Sequence, residues 1–239
     1  MTPANSAPVP SARADNGTPL TACIPAGPAQ SAVVVLHEIW GVTASIGDIT
    51  SQLCAAGYAA AAPHLYHRQI GQAVTDGDVR RAQHLLHTLD AAGIEQDIFS
   101  TIDYLTRTGA DRIGVLGFSM GATIAFWAAA TAPVAAAVSF YGGGIRRPRW
   151  PGIAPAIELA AHVSTPWIGF YGDKDTGIPV AQVEQLRTAL DKAAAPAEIV
   201  RYPRAAHAFA LDPAERRYAP AAAQDAWRRT WAFFAEHLH

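Results

Sequence analysis

Four runs of six to eight residues carry almost no polar side chain: Ala32 to His37 (AVVVLH), Arg112 to Phe118 (RIGVLGF), Val134 to Tyr141 (VAAAVSFY) and Pro166 to Tyr171 (PWIGFY). A strand with one wet face alternates polar and apolar residues. Runs without that alternation belong to strands buried on both faces, the condition of a parallel sheet covered by helices. Tyr58 to Ala62 and Glu198 to Tyr202 are shorter candidates. Segments of helical period lie between them. Ile46 to Ala56 stops at Gly57, Asp78 to Leu89 puts Ala82, Leu85, Leu86 and Leu89 on one stripe, and Ile94 to Leu105 repeats the pattern. Val180 to Leu190 and Ala221 to Leu238 complete the set. Strand and helix alternate over the whole length. The expected architecture is therefore α/β, doubly wound, with a mostly parallel sheet and helices on both faces. A chain of 239 residues can bury a sizeable core. The expectation is one domain over 17–239, behind a flexible Ala-, Pro- and Ser-rich tail over 1–16.

The charge pattern excludes several classes of partner. Acidic and basic residues are interspersed and the formal net charge is −2, which gives no electrostatic case for nucleic acid or an anionic membrane surface. Gly, Pro, His or charge interrupts every apolar stretch before it reaches about 20 residues, so no membrane span is expected. The first residues lack the apolar core of a signal peptide. Cys23 and Cys54 are the only cysteines, far apart in sequence. The simplest reading is two buried thiols in a reducing compartment, a single disulfide being the alternative. The expected address is cytoplasmic.

One pentapeptide carries chemistry. Gly117-Phe118-Ser119-Met120-Gly121 is a G-x-S-x-G that follows the strand Arg112 to Phe118 and opens the helical Ala122 to Ala130. In a strand–turn–helix elbow the serine takes a strained backbone at the sheet's carboxyl edge. The flanking positions must be glycine, because a Cβ there would collide with neighbouring backbone. The helix N-terminus adds unpaired N–H groups and a partial positive charge. The competing reading is a tight turn whose serine merely caps a helix.

A nucleophilic serine needs a base, and α/β-hydrolases supply it in the order Ser, Asp or Glu, His. Asp175 follows the strand Pro166 to Tyr171, in a turn closed by Gly177 and Pro179; Asp173, nearer the strand, is its competitor. His207 lies on a small-residue loop just past Glu198 to Tyr202. The other eight histidines precede the acid, fall in helices or lie at the tail. Ser119, His207 and Asp175 are thus the expected nucleophile, base and orienting acid. In this fold the loop after the first parallel strand and the residue after the nucleophile supply oxyanion N–H groups, which points to Ile39 and Met120. Glu38 stands next to the nucleophile's floor, either as a raised-pKa catalytic neighbour or as half of a structural ion pair.

Taken together, His37-Glu38-Ile39-Trp40-Gly41, the elbow at Ser119, Asp175-Thr176-Gly177-Ile178-Pro179, His207-Ala208-Phe209 and the segment Gly57-Tyr58 to Pro63-His64-Leu65-Tyr66 resemble the dienelactone hydrolase family from about Thr18 to Leu238. The resemblance implies a compact esterase core without a large lid, cleaving small esters or lactones with no cofactor. It differs in two ways. The family carries cysteine at the elbow, where this chain has Ser119, and its Glu, here Glu38, contacts that thiol. The family also holds a substrate carboxylate with an Arg shortly after the catalytic His, where Leu211 stands, and a second substrate Arg could match Arg80 or Arg81. Losing one bidentate carboxylate contact argues against the dienelactone itself and favours other esters. An acyl transferase or peptidase on the same core, or a silent ligand-binding hydrolase fold, is the alternative.

The remaining features read more plainly. Trp40 and Tyr141 end strands near the site and are candidate pocket walls. Arg146, Arg147 and Arg149 read as a solvated face of the long loop Gly142 to Pro155, with anion recognition as the alternative. His84 with His87, and His64 with His67, lack a third ligand at metal spacing, so no metal site is expected. Trp227, Trp231, Phe233 and Phe234 fall at helical spacing, as core packing of the last helix. The expected partner is a small ester or lactone, on a monomer or small homo-oligomer.

Overall fold

The computed structural model describes residues 10–69 and 78–239. Its elements run β1 (Ala12–Arg13), β2 (Pro19–Cys23), β3 (Ser31–Leu36), α1 (Ala44–Ala55), β4 (Ala59–Pro63), α2 (Val79–Thr88) and α3 (Ala91–Arg107). They continue with β5 (Arg112–Phe118), α4 (Met120–Thr131), β6 (Ala136–Phe140), α5 (Ala156–Leu159), β7 (Trp167–Gly172), α6 (Val180–Leu190), β8 (Ala197–Tyr202) and α7 (Pro220–His237). The eight strands form one sheet in the order β1-β2-β4-β3-β5-β6-β7-β8. From β4 to β8 every neighbouring pair is parallel, while β1 and β2 join antiparallel at one edge. This is the doubly wound, mostly parallel sheet that the unalternating apolar runs predict, and it has the α/β-hydrolase fold.

The strands carry both halves of the core. In β3, Val33 and Val35 face a cluster with Ile46, Ile49 and Leu53 of α1 and Phe234 of α7. The alternate residues Val34 and Leu36 join Leu85 of α2 and Ile94, Ile98 and Ile102 of α3. Helix α4 is buried from Met120 to Ala129 on every side, which explains why it has no polar stripe. In α7, Phe234 is buried and Trp227, Trp231 and Phe233 pack against the same core.

Three expectations change. Ala12–Arg13 pairs with Pro19–Leu20 and Ala14 is buried, so the segment read as tail is tied to the sheet from Ala12 onward; its first nine residues lie outside the described residues. Arg149 is half-buried with its Nε closed to solvent, unlike its exposed neighbours Arg146 and Arg147. Cys23 and Cys54 form a disulfide, their Cα atoms 5.7 Å apart. Reading two thiols overlooked β2, whose antiparallel pairing on β4 lays Cys23 beside the end of α1. The cysteines therefore no longer argue for a reducing compartment. Among the described residues no helix is long and apolar enough to cross a membrane.

Candidate active site

The elbow follows from crowding. A Cβ on Gly117 would strike the Gly121 carbonyl and stand 2.7 Å from the Ala122 nitrogen. One on Gly121 would strike the Leu36 carbonyl and stand 2.8 Å from the His37 oxygen. With both glycines in place β5 turns straight into α4, and Ser119 between them holds φ at 51°. Its N–H donates to Phe140 O at 2.9 Å, fixing the turn to β6. A non-glycine residue in this region stores of order 1–3 kcal/mol of strain. Tyr141 (φ 47°) and Ala208 (φ 59°) share this conformation, and among the described residues they and Ser119 are the only non-glycines that do. All three lie at the site.

Ser119 is nearly buried, and its Oγ stands 2.8 Å from His207 Nε2. His207 Nδ1 stands 2.6 Å from Asp175 Oδ2, and the carboxylate is buried. The other oxygen of Asp175 accepts from Gly177 N (2.8 Å) and Ile178 N (3.1 Å), so the carboxylate can turn only one edge to the imidazole. Strand pairing delivers both residues together: Gly172 at the end of β7 is in register with Tyr202 at the end of β8. Lys174 N then donates to Ala205 O at 2.9 Å, tying the acid's turn to the histidine's loop. The competing Asp173 is engaged elsewhere, in a two-point pair with Arg201 (2.8 and 2.7 Å).

The β3 end is stapled to the same point. Gly121 N donates to His37 O at 3.1 Å, which draws the loop bearing Ile39 against the start of α4. Among the described residues no backbone acceptor takes the N–H of Ile39 or of Met120. The His37 imidazole is fully buried, 2.6 Å from Glu38 O through Nδ1, and accepts from Leu65 N through Nε2 (3.3 Å). Burial lowers its pKa to about 4, against the Glu38 bond that raises it. Neutral His37 thus bridges the loops after β3 and β4. Tyr66 adds a second bridge, its hydroxyl 3.1 Å from Ile39 O and 3.4 Å from Met120 Sδ. Behind it, buried Asp97 of α3 takes a two-point contact from Arg68 (2.7 Å each), His67 at 3.2 Å and Thr18 Oγ1 at 2.6 Å. Burial pushes this carboxyl up, but those bonds hold it below its ordinary value. His64 bonds Thr21 Oγ1 at 2.9 Å, so it and His67 both tie the β4 loop to its neighbours.

Glu38, Trp40, Val79, Ala208, Leu211 and Arg217 are among the residues lining a cavity of about 260 Å³, which Ala208, the chain neighbour of His207, places next to the histidine's loop. Val79 is the α2 residue on that wall. Arg80 is exposed, Arg81 half-buried, and neither lines this cavity. Tyr141 is fully buried with its ring 5.0 Å from that of His207, and its hydroxyl has no hydrogen-bond partner. Burial and then the Glu38 charge push this phenol well above its ordinary pKa, with Arg217 opposing. Sequence reasoning missed Arg217, His37 as a staple, and Tyr66, although Tyr66 closes the segment that carried part of the resemblance.

The chain is similar to known proteins over most of its length. The dienelactone hydrolase family profile matches residues 20–238. A Synechocystis sp. protein named "Putative carboxymethylenebutenolidase" is 36% identical over 214 residues, 86% of each chain. A solved structure from Klebsiella pneumoniae subsp. pneumoniae, named "Putative Dienelactone Hydrolase", superposes with a TM-score of 0.80 at 35% identity over 89% of each chain. A thermophilic esterase of Thermogutta terrifontis with propionate bound shares the fold at 21% identity, with a TM-score of 0.66 over 98% of this chain and 94% of that one. Matched over nearly its whole described length by both sequence and structure, the chain belongs to the dienelactone hydrolase family.

Proposed function

We propose that this protein hydrolyses small carboxylic esters or lactones through an acyl-enzyme on Ser119. The observation that carries this reading is the unbroken relay from Ser119 Oγ through His207 to Asp175, at 2.8 and 2.6 Å. Family membership supports the hydrolytic class. As Oγ attacks the ester carbonyl, His207 Nε2 takes its proton, and Asp175 steadies the imidazolium. The carbonyl oxygen becomes an oxyanion held by the N–H groups of Ile39 and Met120, each contributing about 3 kcal/mol to transition-state stabilisation. Collapse breaks the C–O bond to the alcohol, which leaves with the proton from His207. Water, deprotonated by the same nitrogen, then attacks the acyl carbonyl and releases the carboxylic acid and free Ser119. Glu38, which lines the same cavity as Ala208, would orient a polar group of the alcohol.

Ser119→Ala and His207→Ala are each expected to lower kcat on p-nitrophenyl butyrate by about 10⁴-fold or more. A fluorophosphonate probe should label the wild type and leave the Ser119→Ala variant unlabelled. Near-full activity in either variant would sink the assignment. No labelling of folded wild type would favour a silent binding fold.

A further inference from the structure

The cavity next to the histidine's loop has a neighbour. Ser45, Leu211 and Asp212 line it and also line a second cavity of about 430 Å³, together with Asp48 of α1 and Trp227 and Trp231 of α7. The two form one trough, divided only by those three shared side chains. Trp227 ties its second half to the nucleophile's turn. The indole ring lies 5.9 Å from that of Phe118, the residue before Ser119, and its Nε1 donates to Ala210 O on the His207 loop at 3.0 Å. Trp231 lies beside it, with ring centroids 6.2 Å apart and planes at 31°.

Charge along the trough is one-sided. Glu38, Asp212 and Glu215 line the first cavity against Arg217, and Asp48 and Asp212 line the second with no cation among its lining residues. Arg217 itself is drawn to Glu215, at 3.9 Å. The Asp212 carboxylate accepts only from Ala214 N, at 2.8 Å, and among the described residues Asp48 has no hydrogen-bond or ion-pair partner. Indole rings and carboxylates in one cavity suit an organic ammonium ion. The ring quadrupole attracts a cation, and the carboxylates add Coulomb attraction without requiring a fixed donor geometry. An anion in the same place would meet those charges as repulsion. Between the ends of the trough, Leu211 and the 48% exposed Val79 offer apolar surface to an alkyl chain.

Resting on the serine-esterase reading above, we propose that the protein prefers esters whose alcohol carries an organic ammonium group. The alkyl spacer lies along Val79 and Leu211, and Asp212, Asp48 and the indoles of Trp227 and Trp231 receive the cation. The alcohol is the part assigned because its oxygen takes the proton from His207. The trough begins at Ala208, the next residue, and follows the same loop through Leu211 and Asp212.

Three butyrates test this, differing only at the far end of a six-carbon alcohol: 6-(trimethylammonio)hexyl, 6-hydroxyhexyl and 5-carboxypentyl butyrate. Acid release at constant pH follows each, and the distant charge leaves the intrinsic reactivity of the ester bond alike. In the wild type kcat/KM is expected to rank cation, neutral, anion, with the cation about 10-fold above the neutral ester. A neutral or anionic ester cleaved as well as the cation overturns the proposal without any variant. Asp212→Asn, whose amide oxygen can still accept from Ala214 N, should cut the cation-to-neutral ratio about 5-fold. Asp212→Lys should bring that ratio below one, and Trp231→Leu should cut it about 3-fold. A ratio that none of the three variants moves overturns the assignment. If the Ser119→Ala variant still cleaves the neutral ester, the serine reading itself fails. If cleavage needs Ser119 but the three esters are turned over alike, only the present inference fails.

Discussion

Two carboxylates two residues apart show how little separates a candidate catalytic group from a structural one. Asp173 and Asp175 share a turn, yet one is matched by the fork of Arg201 and the other by an imidazole. The difference lies in direction: Asp175 has one oxygen committed to Gly177 and Ile178 N–H groups, so its second oxygen is aimed at Nδ1. An amide at 175 could present its NH₂ to the imidazole and favour the wrong tautomer. Asp175→Asn is therefore expected to lower kcat on p-nitrophenyl butyrate by about 10³–10⁴-fold with little change in KM. Asp173→Asn, which weakens only a half-exposed pair, should leave kcat within about 3-fold. Steady-state kinetics of the two variants decide it, and the reverse ranking would move the acid to Asp173. The sequence favoured Asp175 because it stands past the strand end, and the Arg201 contact that occupies Asp173 has no local signature.

At the scale of elements, the parallel strands announced themselves and the edge did not. Strands β3 and β5 to β7 are buried on both faces, which is why their runs lack polar residues. Strand β2 is five residues of mixed burial on an antiparallel edge, with a proline at its start, and leaves no such trace. The relay was legible because strand ends and chain order specify it. Tyr66 and His37 were not, since their roles arise from contacts between loops far apart in sequence. The His37 staple has a measurable consequence. Its folded-state pKa of about 4 lies below the ordinary 6.5, so the unfolded chain binds a proton first as the pH falls. Its stabilising share is full above about pH 6.5 and is lost progressively toward pH 4, up to about 3 kcal/mol. His64 is lowered in the same sense by burial and contributes in the same window. Urea unfolding at pH 7.5 and 4.5 should show a smaller acid loss for His37→Gln than for the wild type. An equal loss would mean that other groups carry the acid sensitivity.

Across the whole molecule, the chemistry and the cross-link occupy opposite edges of the sheet. Ser119, Asp175 and His207 follow the carboxyl ends of β5, β7 and β8. Cys23 is in register with Ala60 at the start of β4, on the amino edge, and its bond to Cys54 spans 31 residues. Closing a loop of that size stabilises a fold by roughly 3–4 kcal/mol through the unfolded chain. Reduction, or the Cys23→Ser/Cys54→Ser pair, is expected to lower the unfolding free energy by about that amount while kcat at 25 °C stays within about 2-fold. Urea titration with parallel ester assays measures both. A large fall in kcat at a temperature where the protein remains folded would show that the amino edge communicates with the site. The three left-handed residues, Ser119, Tyr141 and Ala208, set a different boundary, this time on improvement. Glycine would relieve Ser119 at little steric cost. At fully buried Tyr141 it would leave a cavity that costs more than the strain it returns. Selection for heat tolerance alone would thus be drawn to position 119 and would delete the hydroxyl there. A thermostabilising campaign that scores survival without turnover would thus converge on sturdier, inert descendants.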